Sequence, residues 1–340
     1  QAEDGIRDVE RSRGLGDVYK RQIHDMLHIS DDSGDTIRIL YHDDIDNPMN
    51  SALREYILDT ENEIDGIKIA AHYFSGSDSY NVIKSKMKEI EKELGGKPDI
   101  VLNFKASPNT YVLKKYKEKG ALVLNDPDVY SITGNKMRTY RILEDAGIDI
   151  PATALPGDKD EVKMFVENHE GPYILKPTHG HGGKGIRRMD TMEEILENIS
   201  YGSDMLQEDI FKYWPHESYR DIRAYVVGDR CISAMYRVND KWITNLHRGG
   251  HGEALPEHIF EKIGPLAVRA ARAIAPSDKL SFCGVDILEK YDENGCVDYV
   301  VLEINSAPGG FYNLEKATGE GRNTVRSIIE YAMEVYRDVQ

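Results

Sequence analysis

A chain of 340 residues is long enough for two or three packed layers and for more than one domain. Its formal net charge of -16 argues against a dedicated binder of nucleic acid or of anionic membrane, since either needs a basic face. No apolar run approaches the roughly 20 residues that span a bilayer, and no signal-peptide core is present.

Three cysteines, Cys231, Cys283 and Cys296, stand far apart without C-x-x-C spacing. They predict neither a disulfide framework nor a zinc site, but buried free thiols in a reducing cytoplasm. Gln1–Gln22 has no apolar periodicity and carries five acids and five bases. It resembles the translation of sequencing-library adapters: "DVYKRQ" reads back as GAT GTG TAT AAG AGA CAG. Residues 1–22 are therefore expected to be non-native, with Met26 or an upstream residue as the start.

From Thr36 onward strands and helices alternate. "TIRILYHD" and "IKIAAHYF" are β-branched strand candidates, and "MNSALREYILDTE" between them has helical spacing. "NVIKSKMKEIEKELGG" places Val82, Ile83, Met87, Ile90 and Leu94 on one helical face, with Gly95-Gly96 as its stop. "DIVLNFKA" and "ALVLND" complete a βαβαβ-like series, which predicts a small α/β domain with a parallel sheet over 33–127. Beyond Pro127, "SITGNKMRTYRILEDAGI" reads as one helix, with Ser131 or Thr133 as its cap and Gly147 as its stop. "YILKP", a glycine loop and "GIRRM" read as strand, loop, strand. "TMEEILENI" is a helix and "DMLQEDI" a short strand. The remainder is mostly antiparallel strand, interrupted by one long helix, "PEHIFEKIGPLAVRAARAIA".

The glycine loop, Gly180 to Gly185, is the first chemical signal. A Walker A loop fails, because Lys184 is followed by Gly185 and not by Ser or Thr. Gly180-x-Gly182-x-x-Gly185 fits G-x-G-x-x-G, but a dinucleotide site needs that loop to open a helix, and "IRRM" reads as a strand. A flap between two strands, folding backbone N–H groups over phosphates, is the third reading; an ordinary glycine-rich hairpin is the fourth. Lys136 and Lys176, in predicted regular elements, would be compatible with one phosphate cleft. Glu208 ends a strand where it could hold a ribose.

The last hairpin carries the second signal. Asn294-Gly295 is a preferred type I′ turn pair. Pairing Glu293 with Cys296 and counting outward sets Asp286 opposite Glu303, with Asn305 on the same face. Facing carboxylates repel unless something holds them, and this oxygen set suits Mg²⁺. A register shift or bulge that turns Asp286 outward is the alternative.

"GNK", "ILKP", "GHGGKG", "LQEDI", "DIRAYVVGD", "NLHRGG", "GVDIL" and "LEINSAPG", in this order, resemble the ATP-grasp superfamily. More narrowly they resemble RimK-type carboxylate–amine ligases, among them α-glutamate ligases and LysX-like amino-group modifiers. The resemblance covers roughly residues 36–337 and is strongest from Lys136 to Thr318. It implies an α/β chain of the ATP-grasp fold: the N-terminal domain, a central subdomain over 128–204 with the flap, and a C-terminal subdomain over 205–340 with the metal site. It implies ATP held by Lys136, Lys176 and the flap residues Gly180, His181, Gly182, Gly183, Lys184 and Gly185. Gln207, Glu208, Asp209 and Ile210 would form the adenine hinge. Arg223, Arg237 and Arg248 would face the phosphates and the acyl-phosphate centre, with Asn245 beside them. Asp286, Glu303 and Asn305 would hold two Mg²⁺ ions, for which Mn²⁺ could substitute.

Two departures stand out. His179 and His181 flank a flap glycine where small or neutral residues are usual, and Asp209 stands where the hinge often has an apolar residue. The implied reaction joins an amino acid, glutamate by family analogy, to a carboxylate acceptor that is a protein C-terminus or a small molecule. Relatives commonly associate, so a homo-oligomer is admitted; a cytoplasmic location and no nucleic-acid or membrane partner are expected. The rival readings are a free dipeptide ligase of the D-alanine or glutathione synthetase type, a biotin-type carboxylase, for which the chain is short, and a non-catalytic ATP-binding regulator.

Overall fold

The computed structural model describes residues 36–43, 48–75, 77–105, 108–180 and 182–340. Gln1–Gln22, Met26 and His181 lie outside them.

The N-terminal sheet is wholly parallel. Its strands β1 (Ile37–His42), β2 (Ile67–His72), β3 (Ile100–Asn103) and β4 (Leu122–Leu124) run in the order β2-β1-β3-β4. Helices α1 (Pro48–Glu61), α2 (Tyr80–Leu94) and α3 (Thr110–Glu118) connect them. Such strands are buried on both faces, which is why "IRIL" and "IVLN" read as continuous apolar runs. Leu40, Ala70 and Val101 pack with α2 and α3. Ile39, Ile69 and Leu102 face α1 and the chain's last helix. Within α2, Ser79 caps the start and Gly95, at φ 71°, ends it. Ile83, Met87, Ile90 and Leu94 are buried as expected, but Val82 is exposed. It sits one position off the 83-87-90-94 stripe, so the helix turns it to water.

A buried histidine ends β1. Phe74 N–H donates to His42 Nε2 (3.3 Å), so the proton is on Nδ1, which donates to Asn103 Oδ1 at 2.6 Å. Burial lowers the imidazole from its ordinary 6.5 to about 4. Between those values the unfolded chain binds the proton and the folded chain does not. The stability is therefore present above pH 6.5 and lost as pH falls toward 4, about 3 kcal/mol in all. Thermal melts of the wild type should fall more steeply between pH 7 and 4.5 than those of His42→Gln; parallel curves would refute this.

Beyond β4 the expected single helix is two, α4 (Tyr130–Thr133) and α5 (Lys136–Asp145). The break falls at Gly134-Asn135. Asn135, in extended conformation, caps α5 by accepting from Arg138 N–H, so neither Ser131 nor Thr133 does. Although it precedes the central sheet, α5 buries Tyr140 and Leu143 in the core of the C-terminal sheet.

The central sheet is antiparallel, with strands β5 (Thr153–Ala154), β6 (Tyr173–Pro177), β7 (Arg187–Met189) and β8 (Asp204–Glu208) in the order β5-β8-β6-β7. Helices α6 (Lys159–Asn168) and α7 (Met192–Asn198) cover it through Val162, Phe165 and Ile195. The C-terminal sheet, also antiparallel, comprises β9 (Tyr219–Val227), β10 (Arg230–Asn239), β11 (His251–Ala254), β12 (Phe282–Tyr291) and β13 (Val297–Asn305), in the order β11-β10-β9-β12-β13. Helix α8 (Glu257–Ile274) covers one face. Helices α9 (Phe311–Thr318) and α10 (Gly321–Asp338) cover the other and join it to the N-terminal sheet through Val325, Ile328 and Ile329.

The β12–β13 hairpin corrects the predicted turn. Asp292 Oδ1 accepts from the N–H groups of Asn294 and Cys296, and Gly295 stands at φ 79°. The loop thus has three residues, 293–295, closed by an Asp292 N–H bond to the Cys296 carbonyl (3.0 Å), and not a two-residue I′ turn. That shifts the register by one, pairing Tyr291 with Val297. A bulge at Leu302 then shifts it back, so Asp286 does lie opposite Glu303. Cys231 and Cys283 are buried, but Cys296, in this loop, is exposed. Among the described residues no helix is long and apolar enough to cross a membrane.

Candidate functional site

A cleft lies between the central and C-terminal sheets, with about 920 Å³ of space outside the atoms, solvent at the mouth included. One part is apolar, walled by Ile174, Ile186, Leu288 and Leu302. The charged lining is mixed, with Lys136, Lys176, Lys184 and Arg237 beside Asp221, Asp286 and Glu303.

The glycine loop joins β6 to β7, strand to strand, which removes the helix-opening reading and leaves the flap and the ordinary hairpin. Gly180, Gly182, Gly183 and Gly185 all have positive φ, from 66° to 125°. A Cβ on Gly183 would also meet Ile243 Cγ2 at 3.0 Å, and one on Gly185 would meet Pro177 Cγ at 2.9 Å. The flap is tied down by cations. Lys136 Nζ donates to Gly180 O (2.6 Å), while Arg248 donates to Gly182 O (3.1 Å) and Gly183 O (3.0 Å). His179 contacts Asn135 and Thr178.

Lys136 opens α5, where the Asn135 cap sets it, and also pairs with Glu303 at 3.0 Å. Lys176, on β6, is only 4% exposed. Burial lowers its ammonium to about 7, opposed by the Glu303 charge and reinforced by that of Lys136. Its partner is the Tyr140 hydroxyl at 2.8 Å.

At the end of β8, Gln207 Nε2 donates to Thr153 Oγ1 (2.7 Å), and Glu208 accepts from Ala152 N–H (2.9 Å) and Lys290 (2.8 Å). The unusual Asp209 has a local explanation. It accepts from Phe211 N–H, which starts a 3₁₀ turn at Ile210, and pairs with Arg188 at 2.6 Å. Burial still pushes its carboxyl above the ordinary value.

The C-terminal sheet supplies a ladder of charges. Arg237 stands opposite Asp221, and Arg223 opposite Asp286, in neighbouring strands. Arg223 grips both oxygens of Asp286, while Arg237 binds both oxygens of Asp221 and reaches Asp286 at 3.0 Å. Burial pushes the Asp286 carboxyl up, but the two guanidiniums outweigh it and hold it below its ordinary value. Asn305 Nδ2 donates to Asp286 Oδ2 at 3.3 Å. Among the described residues no cluster of three His, Cys, Asp or Glu side chains has metal-binding geometry. The mixed set of Asp286, Glu303 and Asn305 nevertheless fits a hard cation. Asp286 Oδ1 keeps a lone pair beside its one contact, and Glu303, at 27% exposure, is open to solvent.

The cleft gathers most of the predicted residues, including Asn245, Gln207 to Ile210, Asp286 and Glu303. Arg223, Arg248, Gly185 and Asn305 do not line it. The two arginines spend their donors on Asp286 and on flap carbonyls instead of facing the open space. The sequence reading missed Tyr140, Asp221 and the apolar wall. The D-x-R alternation in "DIRAYV" was the available signal for Asp221; nothing local marks Tyr140.

Residues 133–331 match the family model of the RimK-like ATP-grasp domain. Over 201 residues the chain is 34% identical to a tetrahydromethanopterin:alpha-L-glutamate ligase of Methanococcus maripaludis, spanning 57% of this chain and 64% of that relative. It is 30% identical over 218 residues to a probable alpha-L-glutamate ligase of Shewanella loihica, spanning 62% of this chain and 67% of the other. The aligned part thus falls just short of two thirds of the Methanococcus relative. Among solved structures, D-cycloserine synthetase superposes with a TM-score of 0.61 at 14% identity, covering 88% of this chain and 99% of that one. The ATP-grasp ligase PsnB with minimal precursor, Mg and ADP superposes at 0.59 and 19%, covering 87% and 98%. With the family model running through α5, the flap and both antiparallel sheets, the chain belongs to the RimK-like ATP-grasp family.

Proposed function

We propose that the cleft binds Mg-ATP and that the chain is an ATP-dependent carboxylate–amine ligase working through an acyl phosphate. The observation that most supports this is Lys176, a buried ammonium with no carboxylate partner among the described residues, set beside Lys136 at the far end of an apolar slot. A ligand with a flat apolar head and a polyanionic tail satisfies both ends.

In this reading Ile174, Leu288 and Leu302 flank the base, Gln207 to Ile210 form the hinge along its edge, and Glu208 lies near the ribose. Lys136, Lys176 and the flap, Gly180 to Gly185, hold the phosphates. Arg237 faces the transferring group directly. Arg223 acts through Asp286, and Arg248, with Asn245, through the flap. Asp286, Glu303 and Asn305 would hold Mg²⁺, two ions with Mn²⁺ as a substitute; when bound, the metal supplies positive charge against the phosphate oxygens. The acceptor carboxylate oxygen attacks the γ-phosphorus and ADP leaves. The amine nitrogen then attacks the acyl carbon, phosphate leaves, and the amine gives up a proton as the amide forms. The tied-down flap keeps water from the acyl phosphate. The names of the two relatives support glutamate as the amine; the acceptor would be a protein C-terminus or a small carboxylate. Residues 33–127, 128–204 and 205–340 would act as three units around this site.

ADP release from Mg-ATP by the purified chain, across a panel of amino acids with a glutamate-ended peptide as acceptor, tests the reading. Turnover that requires one amino acid identifies the amine. Mg-ATP binding without turnover under every pairing would favour a nucleotide-binding regulator.

A further inference from the structure

Tyr140 has no role in the reaction just described, yet its ring is fully buried against the site. Its hydroxyl donates to the Leu302 carbonyl at 2.6 Å. A phenol has one proton, so the oxygen then faces Lys176 only as an acceptor, at 2.8 Å. The Lys176 ammonium also lies over the Tyr140 ring, 4.8 Å from its centre. Leu302 is the extra residue of the β13 bulge, left without a partner in β12. One irregularity therefore offers a carbonyl to Tyr140 and, at the next residue, directs Glu303 into the cleft.

We propose that Tyr140 is a positioning residue, whose hydroxyl, oriented by the Leu302 carbonyl, holds the Lys176 ammonium toward the phosphates of the bound nucleotide. A carboxylate in its place would fix the lysine equally well but would cancel the charge that the phosphates require. A phenol fixes the direction and leaves the charge free. Burial pushes the Tyr140 hydroxyl well above its ordinary value, so it stays neutral. No carboxylate among the described residues pairs with Lys176.

The inference rests on the cleft being a nucleotide site, and the test separates the two. Calorimetry gives Kd for Mg-ADP and displacement gives Kd for adenosine, in wild type, Tyr140→Phe, Lys176→Met and the double variant. Wild type that binds neither would remove the reading of the cleft itself. Given wild-type binding, Tyr140→Phe should weaken Mg-ADP by about tenfold, the scale of one hydrogen bond to a charged group, and leave adenosine within about twofold. In the Lys176→Met background the same change should do nothing further, and that background carries no unpaired ammonium to disturb folding. Equal losses for Mg-ADP and adenosine, or additive losses in the double variant, would overturn the proposal.

Discussion

Glu303→Ala should abolish amino-acid-dependent ADP release, by about a thousandfold or more, while shifting the melting temperature little. The size follows from what the carboxylate is proposed to do. Charge that develops on transferred phosphoryl oxygens is met by groups fixed in advance, and removing one costs roughly 10²–10³ in rate where it is a simple donor. A carboxylate that holds the metal removes more. The small effect on stability follows from its surroundings. Glu303 is partly open to solvent, and its partner Lys136 keeps the Gly180 carbonyl when the carboxylate goes. A half-buried pair of this kind, with the Gly180 carbonyl still on Lys136, contributes about 1–2 kcal/mol. Glu303→Gln, which keeps shape without charge, should be nearly as inactive. Turnover surviving in both variants would remove Glu303 from the metal set and the hairpin argument with it.

That hairpin shows what one sequence can and cannot convey. Asp286 opposite Glu303 is the observed pairing, but a two-residue turn with an unbroken ladder reaches it only because two departures cancel. Asp292 organises a three-residue loop, which a reading of Asn294-Gly295 alone does not anticipate, and the bulge at Leu302 restores the count. Local propensity is silent about the bulge, whose Leu302 carbonyl accepts from Tyr140 on the distant helix α5. The parallel N-terminal sheet, the strand–loop–strand flap and the long helix α8 were legible because each rests on periodicity or glycine chemistry within a few residues. The break before α5 is hidden in the sequence for a different reason. Gly134 and Asn135 fall within a continuous helical pattern, yet Asn135 is the better cap, and that cap sets Lys136 at the mouth of the flap. Asp209 looked like a defect of the hinge and proves to be a cap with its own arginine.

Asp286 is the counterpart of Glu303 in the proposed metal set and should differ from it in the melt when removed. Asp286→Ala is expected to cost about 3–5 kcal/mol of stability, the range for removing one member of a buried ion network. For a structure of this size that is a fall of roughly 4–7 °C in melting temperature. The carboxylate is 2% exposed and is the one acid among the described residues that Arg223 binds, so its loss leaves that guanidinium buried and uncompensated. Arg237 suffers less, because Asp221 still holds it. Rescue distinguishes this account from a simple cavity. If the unpaired charge is the cause, Arg223→Met placed on Asp286→Ala should recover much of the lost stability, since replacing both partners removes the buried charge. A cavity would instead be enlarged by the second change, and the melting temperature would fall again. Activity should remain absent in both variants, because neither restores an oxygen opposite Glu303. On the proposed reading Asp286 has two separable duties, a structural one read by the melt and a catalytic one read by turnover, whereas Glu303 has only the second. A melt unchanged by Asp286→Ala would mean that the arginines are satisfied without it, and the charge ladder across β12, β9 and β10 would lose its structural role.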